Sequence, residues 1–165
     1  MYPALAFCAY TGARRSEMLR CYVDDVNGTV FLREKKKTQD QRLTFREVPL
    51  HPELDTIIRQ WKRQHPGGQL LFCKTNQTPI NGKTAREAFV SVTKDSKWSV
   101  LHGYHILRHS FASNLARHGV DQYKVDAFMG HQTEEMRERY RHLFPEDRRS
   151  AIAVLSFQST NGEQT

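Results

Sequence analysis

The side chains best suited to chemistry lie mostly in the second half of this 165-residue sequence, at defined intervals. His105 and Arg108 are three residues apart, His131 follows 23 residues later as the second member of a Gly-His pair, and Tyr140 comes 9 residues after that. Arg14, within a TGARRSE segment near the start, adds a second guanidinium. Two guanidiniums, two imidazoles and one phenol are groups that can break a phosphodiester without a metal ion.

Each of these residues has an ordinary explanation when it is taken alone. His105 would be a helix-start or core histidine, the arginines would be surface cations, and Tyr140 would be a half-buried residue on a charged helix. Their order and spacing together favour a catalytic set. The TGARRSE string, the His-x-x-Arg pair, the Gly-His pair and the tyrosine resemble the catalytic signature of the tyrosine recombinases, the phage-integrase family. The resemblance covers nearly the whole chain.

The chemistry of such a site explains the role that each residue would take. Negative charge concentrates on the non-bridging oxygens in the transition state, and Arg14 and Arg108 are predicted to clamp the phosphate with their planar donor forks. Tyr140 is the candidate nucleophile, and a phenol, with a pKa near ~10, needs their positive field or a base. His105 is the candidate general base, since an imidazole titrates near neutral pH. His131 is predicted to donate a further hydrogen bond to the phosphate.

The resemblance also implies that a lysine on a β-hairpin protonates the leaving 5′ oxygen. Three consecutive lysines, Lys35, Lys36 and Lys37, compete for this role, and successive strand residues point to opposite faces. A Lys-Thr pair, common at this place in the family, favours Lys37, whereas counting from the turn at Gly28 favours Lys35 or Lys36. Lys36 or Lys37 is our prediction. Glu17, at the acidic position of the motif, is predicted to orient an arginine rather than to act as a base.

Composition agrees with a nucleic-acid partner. The formal charge of +7 and the pI of about 9.5 favour binding to a polyanion. No apolar run reaches the ~18–20 residues that cross a bilayer, and no secretory signal is recognisable. The three cysteines are widely spaced without a CxxC pair, which predicts free thiols and neither a disulfide scaffold nor a zinc site. We expect no cofactor. We expect a cytoplasmic, nucleoid-associated protein of a bacterium or phage, without membrane contact.

Hydrophobic periodicity predicts a mainly α-helical α+β fold with a small antiparallel β-hairpin or three-stranded sheet. Gly12 is predicted to end the first helix, and Gly119 and Gly130 are predicted to end two later ones. Leu107 and Phe111 are predicted core residues. The predicted helices are YPALAFCAYTG, RRSEMLRC, HPELDTIIRQWKRQH, GKTAREAFVSVTKDS, ILRHSFASNLARHG, QYKVDAFMG, TEEMRERYRHL and PEDRRSAIAVLSF; the predicted strands are NGTVFLRE, REVPL and a short edge strand QLLFC; and KKKTQDQRLTF is the predicted basic hairpin tip.

The resemblance implies a tyrosine-recombinase catalytic domain over residues 1–156, followed by a polar, disordered tail over 157–165. Only 13 residues precede Arg14, so the DNA-clamping domain that usually precedes this domain is expected to be absent from this chain, as in part of a longer integrase. The expected activity is site-specific cleavage and rejoining of double-stranded DNA through a 3′-phosphotyrosine. It would be carried out by a homo-tetramer on paired sites that is a monomer when free. The alternatives are a topoisomerase of the single-strand type and a DNA-binding module whose catalysis is lost.

Overall fold

The computed structural model describes residues 1–34, 44–74, 77–101, 103–130 and 138, and all structural statements below concern these residues. They form a mostly helical arrangement beside one small antiparallel sheet, which confirms the predicted fold class. In chain order the elements are α1 (Tyr2–Thr11), α2 (Arg15–Met18), a 3-10 turn (Val23–Asp25), β1 (Val26–Asn27), β2 (Thr29–Glu34), β3 (Thr44–Pro49), α3 (Pro52–Arg63), α4 (Gly82–Thr93), α5 (His105–Arg117) and α6 (Gln122–Met129).

Helix α1 is the central helix of the fold, and it packs against both α3 and α5. Pro3 lies in its first turn, where its missing N–H leaves no helical hydrogen bond unmade. Buried residues point to several sides of the helix, among them Ala4, Phe7 and Cys8. An apolar helix of this kind fits an interior position rather than a surface one.

The sheet has the order β1-β2-β3, and both pairings are antiparallel. Val30 lies opposite Val48 in the register of the β2–β3 pair, and both are buried. The prediction of a strand at QLLFC is wrong, because Leu70 and Cys73 form only isolated bridges, with Tyr22 and Pro79. The third strand is instead Val26–Asn27, whose two residues are too short for a periodic pattern to reveal.

Helices α3 and α4 cover the core with one apolar face each. Leu54 and Ile58 of α3 are buried, as are Ala85 and Phe89 of α4. Side chains cap both N-termini: the His51 ring accepts a hydrogen bond from Glu53 N, and the Asn81 side chain accepts one from Thr84 N.

Helices α5 and α6 form a second, smaller cluster of buried residues around Ala112, Val125 and Met129. Leu107 and Phe111 pack against the main core, as predicted. Both predicted stops are confirmed, since Gly119 and Gly130 follow the two helices with positive φ angles of 71° and 73°.

Several predictions concern segments outside the described residues. They are the tip of the β-hairpin, all but one residue of the two helices predicted after Gly130, and the polar tail over residues 157–165.

Candidate active site

A tight reversal after α1 directs Arg14 to the start of α2. Gly12 takes the left-handed conformation, with φ 63° and ψ 18°, and its N–H donates to Cys8 O at 3.1 Å. A Cβ at this position would lie 2.6 Å from the ring of Phe111, so both the backbone conformation and the available space require glycine. The Thr11 hydroxyl reinforces the turn, since it donates to Phe7 O and accepts from the N–H of Ala13.

Arg14 is partly exposed, with 37% of its side chain open to solvent, and it is ion-paired to Glu17. Its Nη1 donates to Glu17 Oε1 at 2.8 Å, and its backbone N–H donates to Glu17 Oε2 at 2.7 Å. Two bonds to one carboxylate restrict both the backbone and the side chain of Arg14. The predicted role of Glu17 as the partner that orients an arginine is confirmed.

Arg14 and His105 line the same cleft, whose volume is about 490 Å³. His105 is the first residue of α5 and is exposed. Three arginines and this histidine line the cleft, and no Asp or Glu of the described residues does. The positive potential of these side chains makes the cleft suited to an anion. The other lining residues are Arg15, Ser16, Arg86, Phe89, Val90, Leu101, Gly103 and Tyr104.

Tyr104 positions the start of α5 next to this cleft. It is buried, and its hydroxyl donates to Ala85 O of α4 at 3.2 Å. Burial raises the pKa of Tyr104 to about 12, so the phenol remains a hydrogen-bond donor at neutral pH. His105 therefore extends from a point anchored to α4.

Arg108 is buried, with 4% of its surface exposed, and does not line the cleft. Its Nη1 donates to Gly12 O at 2.6 Å, and its Nη2 donates to Met129 O. It therefore joins the loop that carries Arg14 to the last residue of α6. The structure brings Arg14 and His105 together on one cleft and places Arg108 in the interior next to the Arg14 loop, so a clamp of two arginines on one phosphate stays a prediction.

A second buried arginine, Arg46 of β3, completes the surroundings of Glu17. Its Nη1 and Nη2 donate to Glu17 Oε1 and Oε2 at 2.8 and 2.7 Å, and its Nε donates to Phe128 O at 2.8 Å. Burial raises the pKa of Glu17, but hydrogen bonds and charge from Arg46, together with hydrogen bonds from Arg14, outweigh it and lower the pKa to about 2. Glu17 is thus an anion near neutral pH and too weak a base to accept a proton there.

Our sequence-based reasoning missed Arg46, although the sequence carries a signal for it. In the β3 segment, Arg46 and Val48 alternate with exposed Phe45 and Glu47, so the arginine shares the inward face of the strand. A cation at an inward position needs a buried anion. The strand pattern thus predicts a buried carboxylate partner, and the structure identifies that partner as Glu17.

The end of α6 leads to the predicted His131. The carbonyls of Phe128 and Met129 accept hydrogen bonds from Arg46 and Arg108, and Gly130 follows with φ 73° and ψ −171°, a backbone region that is essentially restricted to glycine. The predicted site residues His131, Tyr140, Lys36 and Lys37 lie outside the described residues, as does Lys35.

Other chemically suited groups are sparse in the part of the chain that the structure describes. No three His, Cys, Asp or Glu side chains there lie close enough together to hold a metal ion. The three cysteines are buried free thiols, as predicted. A larger depression of about 590 Å³, next to Tyr22 and Lys62, has none of the predicted site residues in its lining. No described helix has the length and apolar character that a membrane span requires.

Comparison with known proteins agrees with this arrangement. The model of the phage integrase family matches residues 2–147. A putative integrase of Pseudomonas phage Pf1 is 30% identical over 154 residues, which cover 93% of this chain and 41% of the relative. Transposase B from transposon Tn554 of Staphylococcus aureus strain Mu50 is 25% identical over 150 residues, covering 82% of this chain and 23% of the relative. This chain thus spans less than half the length of these curated relatives.

Solved structures show the same fold. The XerA recombinase superimposes with a TM-score of 0.74 at 22% identity, over 93% of this chain and 55% of that one. The Tn1549 transposon integrase, in complex with circular intermediate DNA, gives a TM-score of 0.69 at 17% identity, over 92% of this chain and 55% of that one. With the family match over residues 2–147, these findings establish that the chain belongs to the phage integrase family.

Proposed function

We propose that this chain carries the catalytic centre of a tyrosine-type site-specific recombinase, which cuts and rejoins double-stranded DNA in the integration or excision of a mobile element. One observation carries the proposal: Arg14 and His105, 91 positions apart in the sequence, line one basic cleft without a described acidic side chain. Arg108 supports it, because it ties the Arg14 loop to the residue before the Gly130-His131 pair.

The proposed cleavage is an attack of the Tyr140 hydroxyl oxygen on the phosphorus of the scissile phosphodiester. The bond from phosphorus to the 5′ oxygen breaks as the bond from Tyr140 to phosphorus forms. His105 accepts the phenolic proton, and Lys36 or Lys37 gives a proton to the leaving 5′ oxygen. Arg14, Arg108 and His131 would stabilise the charge on the non-bridging oxygens.

The covalent product retains the energy of the broken bond. A 5′ hydroxyl from another strand then attacks the 3′-phosphotyrosine and gives its proton to Lys36 or Lys37. The new phosphodiester forms as the bond from Tyr140 to phosphorus breaks, and His105 returns the proton to Tyr140. This exchange needs no ATP. Because arginine and histidine donors would take the role that metal ions have in other nucleases, we expect the reaction to proceed without a divalent cation.

The partner and its assembly belong to the same proposal. The Tn1549 integrase was solved in complex with DNA, and the XerH recombinase was solved bound to its difH substrate. We expect this chain to act likewise on duplex DNA, as a homo-tetramer on two paired sites and as a monomer without DNA. A cytoplasmic location at the bacterial nucleoid follows from that substrate.

A covalent-capture experiment tests the proposal without knowledge of the target sequence. The protein is incubated in EDTA with a library of duplexes of random sequence, each with a nick near its centre, and adducts that survive detergent are isolated and sequenced. A nick near the scissile phosphate lets the released strand diffuse away and traps the adduct. Adducts of shared sequence are expected for the wild type and for Tyr123→Phe, an exposed tyrosine of α6, and not for Tyr140→Phe.

Each other result selects an alternative. Binding without an adduct would indicate a silent DNA-binding module. Adducts without a shared sequence, together with relaxation of any supercoiled plasmid, would indicate a topoisomerase. Adducts that require added Mg²⁺ would contradict the metal-independent mechanism.

A further inference from the structure

Arg46 differs from the predicted site residues because it reaches two parts of the site without entering the cleft. Its guanidinium contacts both oxygens of Glu17 and the carbonyl of Phe128, and only 6% of its surface is exposed. It is not among the residues that line the cleft. Any effect of Arg46 on DNA cleavage must therefore pass through the groups that it holds.

We infer that Arg46 is a positioning residue for the DNA-cleavage reaction, which holds Arg14, through Glu17, in register with the end of α6, through Phe128 O. The inference rests on the proposed function. According to this inference, Arg46, a buried residue of the sheet that would not contact DNA, positions the groups that would.

The first support is the sharing of the Glu17 carboxylate. Each of its oxygens accepts two hydrogen bonds, one from Arg14 and one from Arg46, and a carboxylate offers about four lone-pair sites. Glu17 is thereby saturated. Arg14 is bound through Nη1 and its backbone N–H only, which fixes its place while its side chain remains open to the cleft.

The second support is the charge of the cluster. One carboxylate faces two guanidiniums, so a net positive charge remains for an incoming phosphate. Without Arg46, the whole charge of Glu17 would act on Arg14. The attraction of Arg14 for phosphate would weaken, because a nearby opposite charge offsets it.

The third support is the link to the end of α6. The last carbonyls of a helix lack intrahelical donors, and Arg46 supplies one to Phe128, two residues before Gly130. Because the guanidinium is planar and rigid, one side chain sets the spacing between Glu17 and this carbonyl. A lysine would retain the charge but not the three-point geometry.

The first test compares Arg46→Lys with the wild type in single-turnover cleavage of a nicked duplex that the wild type cleaves. The rate constant should fall roughly 100-fold, the scale expected for a small misplacement of a reacting group, with little change in the dissociation constant for the DNA. A rate within about threefold of the wild type would overturn the inference. Lys62→Met is the control, because Lys62 donates to Val26 O at 2.7 Å and lines other cavities.

The second test separates positioning from general stabilisation. Arg46→Met leaves Glu17 to Arg14 alone, whereas Glu17→Gln combined with Arg46→Met removes the negative charge as well. The double variant should cleave about tenfold faster than the single variant, since Glu17 no longer offsets the attraction of Arg14 for phosphate. A double variant as slow as Arg46→Met, or slower, would show that Arg46 only stabilises the fold. If Arg46→Met does not fold, the single-turnover comparison of Arg46→Lys with the wild type remains the measurement that can overturn the inference.

A third measurement keeps this inference apart from the proposed function. Inorganic phosphate is titrated into wild type and Arg46→Lys while the Arg14 Nε–Hε signal is followed by NMR. A dissociation constant for phosphate that is about tenfold larger in the variant supports positioning, even if the wild type forms no DNA adduct and the proposed function fails. Equal constants overturn the inference even if the wild type is an active recombinase.

Discussion

The guanidinium of Arg108 donates a 2.6 Å hydrogen bond to the carbonyl oxygen of Gly12, although 96 positions separate the two residues in the chain. The same side chain also donates a hydrogen bond to Met129 O. The loop before Arg14 and the turn before His131 are thus held by one buried cation. Part of the importance of Arg108 is therefore structural, in addition to any contact with phosphate.

Replacing Arg108 with methionine should destabilise the protein strongly. The carbonyls of Gly12 and Met129 would lose donors in a buried environment, at about 1–3 kcal/mol for each group left unsatisfied. Urea-induced unfolding measures the loss. Arg117→Met, an exposed change on the same helix, should stay within about 0.5 kcal/mol of the wild type. Equal midpoints for the two variants would show that these bonds do not stabilise the fold.

Acid should unfold the protein partly through Glu17. Because Arg46 and Arg14 hold the pKa of Glu17 at about 2, below its ordinary 4.5, ionised Glu17 stabilises the fold above pH 4.5. That stabilisation, on the order of 3 kcal/mol, is lost as the pH falls from 4.5 through about 2. Glu17→Gln should flatten this part of the stability profile, measured by urea unfolding at each pH. Exposed Glu87→Gln should leave it unchanged, and equal slopes for the two would contradict the ion-pair account.

Alanine substitutions at Gly12 and Gly28 separate the free-energy cost of backbone strain from the cost of steric crowding. Their φ angles are nearly equal, at 63° and 68°, but a Cβ at Gly12 would meet the Phe111 ring whereas one at Gly28 would meet nothing within 4 Å. Gly28→Ala should cost about 1–2 kcal/mol of unfolding free energy, from the left-handed conformation alone. Gly12→Ala should cost about 1–3 kcal/mol more, from overpacking. Similar losses in urea unfolding would mean that the Phe111 ring moves aside at little cost.

Arg14 and its neighbour Arg15 line the same cleft, but only Arg14 is held by Glu17. Arg14→Lys should lower the rate of DNA cleavage by about 100- to 1,000-fold, because the oriented donor fork is lost while the charge remains. Arg15→Lys should cause less than about a tenfold loss, since general positive potential is retained. Single-turnover cleavage of a nicked duplex measures both, and equal losses would contradict a specific role for Arg14.

Single alanine variants of Lys35, Lys36 and Lys37 should identify the general acid. The variant that lacks it should cleave normal DNA slowly. The cleavage rate of this variant should recover on a duplex with sulfur in place of the leaving 5′ oxygen. A thiol has a pKa near ~8.5, so the sulfur leaves without prior protonation. We expect recovery for Lys36→Ala or Lys37→Ala. Recovery for Lys35→Ala alone would correct this assignment, and recovery for none would place the acid elsewhere.

Local pattern was sufficient for most of the fold. The apolar spacing of Leu54 and Ile58, the turn at Gly12 and the alternation through Val30 and Leu32 are properties of short segments, and the structure follows them. The strand predicted at QLLFC is wrong because a short apolar run is compatible with a strand but need not form one. Whether such a run pairs depends on neighbours that are remote in the chain.

The sequence by itself determined which chemical groups are present and in what order, from Arg14 through His105 and Arg108 to Tyr140, since a motif's spacing is a property of the chain alone. Only the tertiary structure decided that Arg108 faces two carbonyls in the interior and that Arg46 shares Glu17 with Arg14. The physical reason is that packing between distant segments sets which groups are buried and which partners they meet. Arg46 and Glu17 are 29 positions apart, and Arg108 and Gly12 are 96 positions apart. A buried charge must pair with whichever group this packing brings within reach.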